Sequence, residues 1–109
     1  MYRNTALAAV DVVSGNSMGG AKTFSGDNAL RTLIMRASGV CALGNLNIVE
    51  GTPFASAGTG GTLYVPSALI SAYRSATNWS TVLGYPNNRI EAIEGSVYET
   101  QYADGTPIA

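Results

Sequence analysis

The stretch Phe24-Ser25-Gly26-Asp27-Asn28-Ala29-Leu30-Arg31-Thr32-Leu33-Ile34-Met35-Arg36 decides the fold, because its apolar positions recur on both sides of it. Met1, Leu7, Val10 and Val12 reappear as Phe24, Leu30, Leu33 and Met35, each displaced by 23 residues. Phe54, Leu63 and Val65 keep the same spacing a further 30 residues on, with Gly60 where a third leucine would stand. Repeats of 20–30 residues with Leu-x-x-Leu-x-Leu spacing predict stacked levels, each contributing one short strand. Side chains alternate along a strand, so stacking in register makes two inward ladders, Val10/Leu33/Leu63 and Val12/Met35/Val65. The positions between them face outward: Ala9/Thr32/Thr62 and Asp11/Ile34/Tyr64. The strand cores read as Leu7 to Val13, Leu30 to Arg36 and Leu63 to Val65. Ser14-Gly15-Asn16 and Gly19-Gly20 suit tight corners between levels.

Beyond Val65 the period changes. Ala68 to Ala76 reads as a helix capped by Ser67, with Leu69, Ile70, Tyr73 and Ala76 on one face. Trp79, Val82 and Leu83 prolong that face past Asn78. Tyr85-Pro86-Asn87-Asn88 signals a turn, and Arg89 to Ile93 a last short strand. The chain therefore divides into repeat levels (1–66), a helical cap with its final strand (67–94) and a polar, loosely held tail (95–109). The cap's amphipathic helix and indole are expected to cover the open apolar end of the stack.

Composition narrows the functions. With 109 residues, 12% charged against about 25% in a typical domain, the chain is one domain with a wet but weakly charged surface. Gly, Ser, Thr and Asn supply 41 of the residues. Six basic residues against seven acidic give no cluster for nucleic acid and no polybasic patch for membranes. There is no histidine and only one cysteine, so an imidazole or thiolate metal site cannot be assembled and no cofactor is expected. Cys41, among Val40, Ala42 and Leu43, reads as a small buried hydrophobe. The apolar stretch Ala6 to Val10 is too short for a signal peptide, and the uncharged run from Gly51 to Tyr73 is too broken by proline and glycine to span a bilayer.

Catalytic constellations fare poorly. Gly58-Thr59-Gly60-Gly61-Thr62 lacks the lysine of a phosphate loop and precedes a strand, so it reads as a turn. The carboxylate pairs Glu91/Glu94 and Asp11/Asp27 have no surrounding acid–base set, and serine nucleophiles have only Lys22 as a base. Asn78-Trp79-Ser80 matches a glycosylation pattern, but Trp79 reads as buried packing. Tyr64 is either an exposed contact residue with Arg36 nearby or half of a cross-strand pair with Ile34.

The repeat Phe24…Leu30-x-x-Leu33-x-Met35 resembles the BspA-type leucine-rich repeats of bacterial surface and phage-encoded proteins. The segment Gly61-Thr62-Leu63-Tyr64-Val65-Pro66-Ser67, followed by Ala72-Tyr73, Asn78-Trp79-Ser80 and Ile90 to Ile93, is similar to the closing end of such arrays. The resemblance covers about residues 1 to 93. The family's Ala-Phe pair is Thr23-Phe24 in this chain, and its frequent cysteine three residues later is Asp27. Met1 stands at a repeat's aromatic position, as though this were the end of a longer array or its first edge packed on another chain.

The resemblance implies an α/β fold: a short, irregular leucine-rich-repeat solenoid of parallel strands closed by a helix and Trp79. It implies a non-enzymatic recognition or adhesion module at a cell surface or virion, with a protein or glycan ligand. The expected contact face is the outer sheet surface at Asp11, Thr32, Ile34, Arg36 and Tyr64. The alternative is a structural subunit of a phage particle, in the capsid, tail or a fibre, acting through self-association or docking to a larger assembly.

Overall fold

The computed structural model describes residues 9–12, 17–18, 30–36, 39–44, 46–55, 59–102 and 107–108. Its strands are β1 (Ala9–Val12), β2 (Ser17–Met18), β3 (Thr32–Met35), β4 (Ala42–Leu43), β5 (Thr62–Val65) and β6 (Arg89–Ala92). Four of them form a wholly parallel sheet in the order β1-β3-β5-β6, and β2 pairs with β4, also in parallel. Two short helices, α1 (Ile70–Ser75) and α2 (Trp79–Leu83), lie in the connection from β5 to β6. The protein is thus a mixed α/β domain built on a parallel sheet.

The register follows the sequence period. Val10 stands opposite Leu33, Leu33 opposite Leu63, and Asp11, Ile34 and Tyr64 form the next row. β6 adds a fourth row, with Ile90 opposite Leu63 and Arg89 opposite Thr62. Leu7, Val13 and Phe24 lie outside the described residues, as do the side chains of Val10, Asp11 and Val12. Leu33, Met35, Leu63 and Val65 point inward and are fully buried, as strand alternation requires.

Gly60 does not disturb the third row. Its φ of +102° favours glycine, and a Cβ there would lie 2.2 Å from the Asn87 carbonyl oxygen. At Gly61 a Cβ would strike the Phe54 ring at 2.6 Å. The lost leucine is therefore replaced by a close approach of the chain to the Asn87 turn and to Phe54. Asn88 ties the same region together: its Oδ1 accepts from Gly61 N–H at 2.8 Å, and its Nδ2 donates to the carbonyls of Phe54 and Val82 at 3.0 and 2.8 Å.

The core gathers Leu30, Leu33, Met35, Cys41, Leu43, Val49, Phe54, Leu63, Val65, Tyr73, Trp79 and Val82. Tyr73 and Trp79 meet edge to face, with ring centroids 5.7 Å apart. Between them they satisfy both main-chain groups of Cys41. The Cys41 N–H donates to Tyr73 Oη at 2.8 Å, and Trp79 Nε1 donates to the Cys41 carbonyl at 2.7 Å. Asn78 Nδ2 adds a bond to the Leu43 carbonyl at 2.7 Å. The helical segment thus holds β4 by its backbone, while its rings fill the interior beside it.

Three expectations about this segment need correction. Ser67 is no N-cap: residues 67–69 form a 3-10 turn, and α1 begins at Ile70 without a side-chain cap. The Ser67 N–H instead donates to Glu94 Oε1 at 2.9 Å. The helix read over Ala68 to Ala76 is shorter, Ile70–Ser75, and Asn78 at φ +68° separates it from α2, which carries the buried Trp79 and Val82. Nor do the helices terminate the sheet, since β6 adds to it after them.

Candidate recognition surface

The outer face of the sheet carries the side chains between the inward rows. Thr32 and Thr62 stand opposite each other, half-buried, and Ile34 lies opposite Tyr64. Residues 93–102 lie over part of this face. Gly95 at φ +86° turns the chain away from β6. Ser96 then opens a 3-10 turn at Val97–Glu99, its Oγ accepting from Tyr98 N–H at 3.1 Å and donating to the Ile93 carbonyl at 2.6 Å.

Arg36 anchors this strap. Its guanidinium donates to the Tyr98 carbonyl at 2.8 Å and to the Gln101 carbonyl at 3.0 Å, and sits 5.2 Å from the centre of the Tyr102 ring. Two donors held in one rigid plane can engage two carbonyls at once, which an ammonium group does less well. The Tyr98 ring packs edge-on against Tyr64, centroids 4.9 Å apart. Beyond it, Gln101 bridges to Pro107, and Ile108 N–H donates to the Thr100 carbonyl at 3.0 Å. The tail is not loosely held over residues 96–102, which dock on the sheet. Its many neutral polar residues do not prevent this, because the anchoring bonds are to main-chain carbonyls.

Of the residues expected to form the contact face, the structure brings two, Arg36 and Tyr64, against the strap. Tyr64 and Arg36 are half-buried beside Tyr98, and Thr32 lies one row away. Ile34 is corrected: it has no exposed surface and cannot be an exposed contact. The side chain of Asp11 lies outside what is described, its backbone standing opposite Ile34. The residues outside that expected set are Tyr98, Gln101 and Tyr102, with Val97 about half exposed beside them. The available signal was aromatic residues at 98 and 102 in an otherwise polar tail, but it named no partner.

What remains accessible is a patch of half-buried tyrosines around one guanidinium. Burial, then the neighbouring Tyr98 and Glu91, raise the Tyr64 phenol above its ordinary value, so it stays a neutral donor and acceptor at physiological pH. Such a surface offers flat apolar rings, hydroxyls and main-chain groups, the means by which tyrosine-rich surfaces grip sugars or protein loops. Among the described residues no group of three or more His, Cys, Asp or Glu side chains could hold a metal, and no helix is long and apolar enough to cross a membrane.

Apart from this patch, a concavity of about 480 Å³ runs along β6. Asn88, Arg89, Ile90 and Glu91 form one wall, and Arg74, Ser80, Leu83 and Gly84 the other. Compared with protein-family models, with curated proteins and with solved structures, the chain finds no match.

Proposed function

We propose that this chain is the closing part of a short leucine-rich-repeat-type solenoid of the BspA kind, serving as a non-enzymatic recognition or adhesion module at a bacterial or virion surface. The sheet rows at successive repeat positions support the architectural part of this reading. One observation carries the functional part: the strap brings Tyr98 and Tyr102 onto the outer face next to Tyr64 and Arg36, making a tyrosine patch from distant parts of the chain. Contact through such groups is matched in shape and hydrogen bonding, with little charge steering.

The test uses the purified chain against an array of bacterial cell-wall polysaccharides and surface proteins. Binding should be lost on Tyr64→Ala with Tyr98→Ala and should change less than about threefold between low and high salt. Retained binding in the double variant, with the fold intact by circular dichroism, overturns the reading. A second reading, a structural subunit of a particle, is favoured by the edge of β6 in its cleft, which no described strand pairs.

A further inference from the structure

We propose that the outer edge of β6, which pairs with no described strand, is a self-pairing surface, joining two copies of this chain across a two-fold axis through Ile90. In a parallel ladder a residue's N–H and C=O point to the same side, and successive residues alternate sides. Arg89 N–H donates to the Gly61 carbonyl at 2.9 Å, and Ile93 N–H to the Val65 carbonyl at 2.8 Å. The odd-numbered residues of β6 therefore face β5. Ile90 and Ala92 turn their N–H and C=O groups the other way, toward the cleft, and no partner for them occurs among the described residues. A row of unpaired strand groups is a template for another strand, and proteins usually cover or blunt it. Here the helices precede β6 and form only the far wall of the cleft, with Leu83 lining it beside Ile90.

Charge selects the occupant and the register. Arg89 and Glu91 are both exposed and flank Ile90 on the outer face. In an antiparallel pair centred on Ile90, that residue meets its own copy and exchanges both main-chain bonds with it. Arg89 of each chain then stands directly opposite Glu91 of the other, giving two favourable cross-strand pairs. Ala92 N–H reaches the Asn88 carbonyl of the other chain. Slipping the register by two, to centre on Glu91, sets Glu91 against Glu91, so the first register is preferred and the contact is isologous and closed. Ile90 meets Ile90 on the inner side, over Leu83.

This inference deepens the subunit reading above and rests on it, while leaving the tyrosine patch untouched. Sedimentation of the purified chain from micromolar to near-millimolar concentration should show a dimer at twice the chain mass. Arg89→Glu or Glu91→Arg alone places like charges opposite each other twice and should weaken the dimer at least about tenfold. The double exchange, Arg89→Glu with Glu91→Arg, should restore it. Far-UV circular dichroism and Trp79 emission verify the fold of each variant. Hydrogen exchange at the Ile90 and Ala92 amides should slow with concentration. A dimer insensitive to both single exchanges refutes the β6 edge but leaves assembly through another surface standing. Open-ended growth refutes the two-fold arrangement. A chain monomeric throughout refutes the edge and the subunit reading together.

Discussion

Tyr73→Phe is the narrowest perturbation of the interior. It removes a single oxygen, keeps the ring's edge-to-face contact with Trp79, and leaves the Cys41 N–H buried without its acceptor. Leaving a buried donor unpaired costs about 1–3 kcal/mol, whereas the small void left by one oxygen adds only a few tenths. With an m-value of about 1.5 kcal/mol/M, a loss of about 2 kcal/mol lowers the urea midpoint by a little over about 1 M. Trp79 is the only tryptophan, so its emission follows the transition without a label. Tyr85→Phe is the control: Tyr85 is half-buried, and the same deletion there should stay within about 0.5 kcal/mol. A Tyr73→Phe midpoint within about 0.3 M of the parent would refute the claim that this hydroxyl satisfies β4's approach.

Gly60→Ala should lower stability by about 3 kcal/mol or more, since backbone strain at φ +102° adds to a collision with the Asn87 carbonyl; a thermal melt reads it, and a loss under about 1 kcal/mol contradicts the geometry. Arg36→Met removes the two bonds to the strap, so limited proteolysis should cleave within 97–102 sooner than in the parent, and an unchanged cleavage rate there contradicts the anchoring. Burial pushes the Cys41 thiol above its ordinary 9.0 and the Tyr73 phenol above 10.0. Above pH 9 the unfolded chain therefore gives up protons that the folded chain keeps. Stability should hold below pH 9 and fall as pH rises further; denaturant midpoints that do not drop above that point would count against this burial. Native Cys41 should react with a thiol reagent only as fast as the protein opens, and rapid modification would contradict its enclosure.

The repeat rows were legible because a parallel sheet in register writes itself as a constant offset, and Val10, Leu33 and Leu63 carry that offset in side-chain type. β6 was visible as a strand but not as a fourth row: Arg89, Glu91 and Ala92 share little with Thr62, Tyr64 and Val65, so backbone pairing is all that relates them. Gly60 looked like a defect, since sequence shows the missing leucine but not the Asn87 turn that comes within van der Waals range. Asn88 reads only as a turn residue, because two of its three bonds reach Phe54 and Gly61, far back in the chain. The contact face departs from its expected form for a similar reason. Alternation puts Ile34 on the outer side, opposite Tyr64, but alternation says nothing of a later segment returning to that face. That return depends on an arginine meeting main-chain carbonyls, and carbonyls leave no trace in residue type.

The asparagine between the two helices has a consequence for how the protein is made. Asn78 is followed by Trp79 and Ser80, the acceptor pattern for oligosaccharyl transfer, yet its amide nitrogen is the atom bonded to the Leu43 carbonyl. A sugar attached to that nitrogen during secretion from yeast or mammalian cells would take up the space in which β4 docks, before the chain had folded. Production in a bacterial cytoplasm avoids the competition. Material secreted from a eukaryotic host would divide into a sugar-free folded fraction and a decorated fraction that fails to close around Trp79.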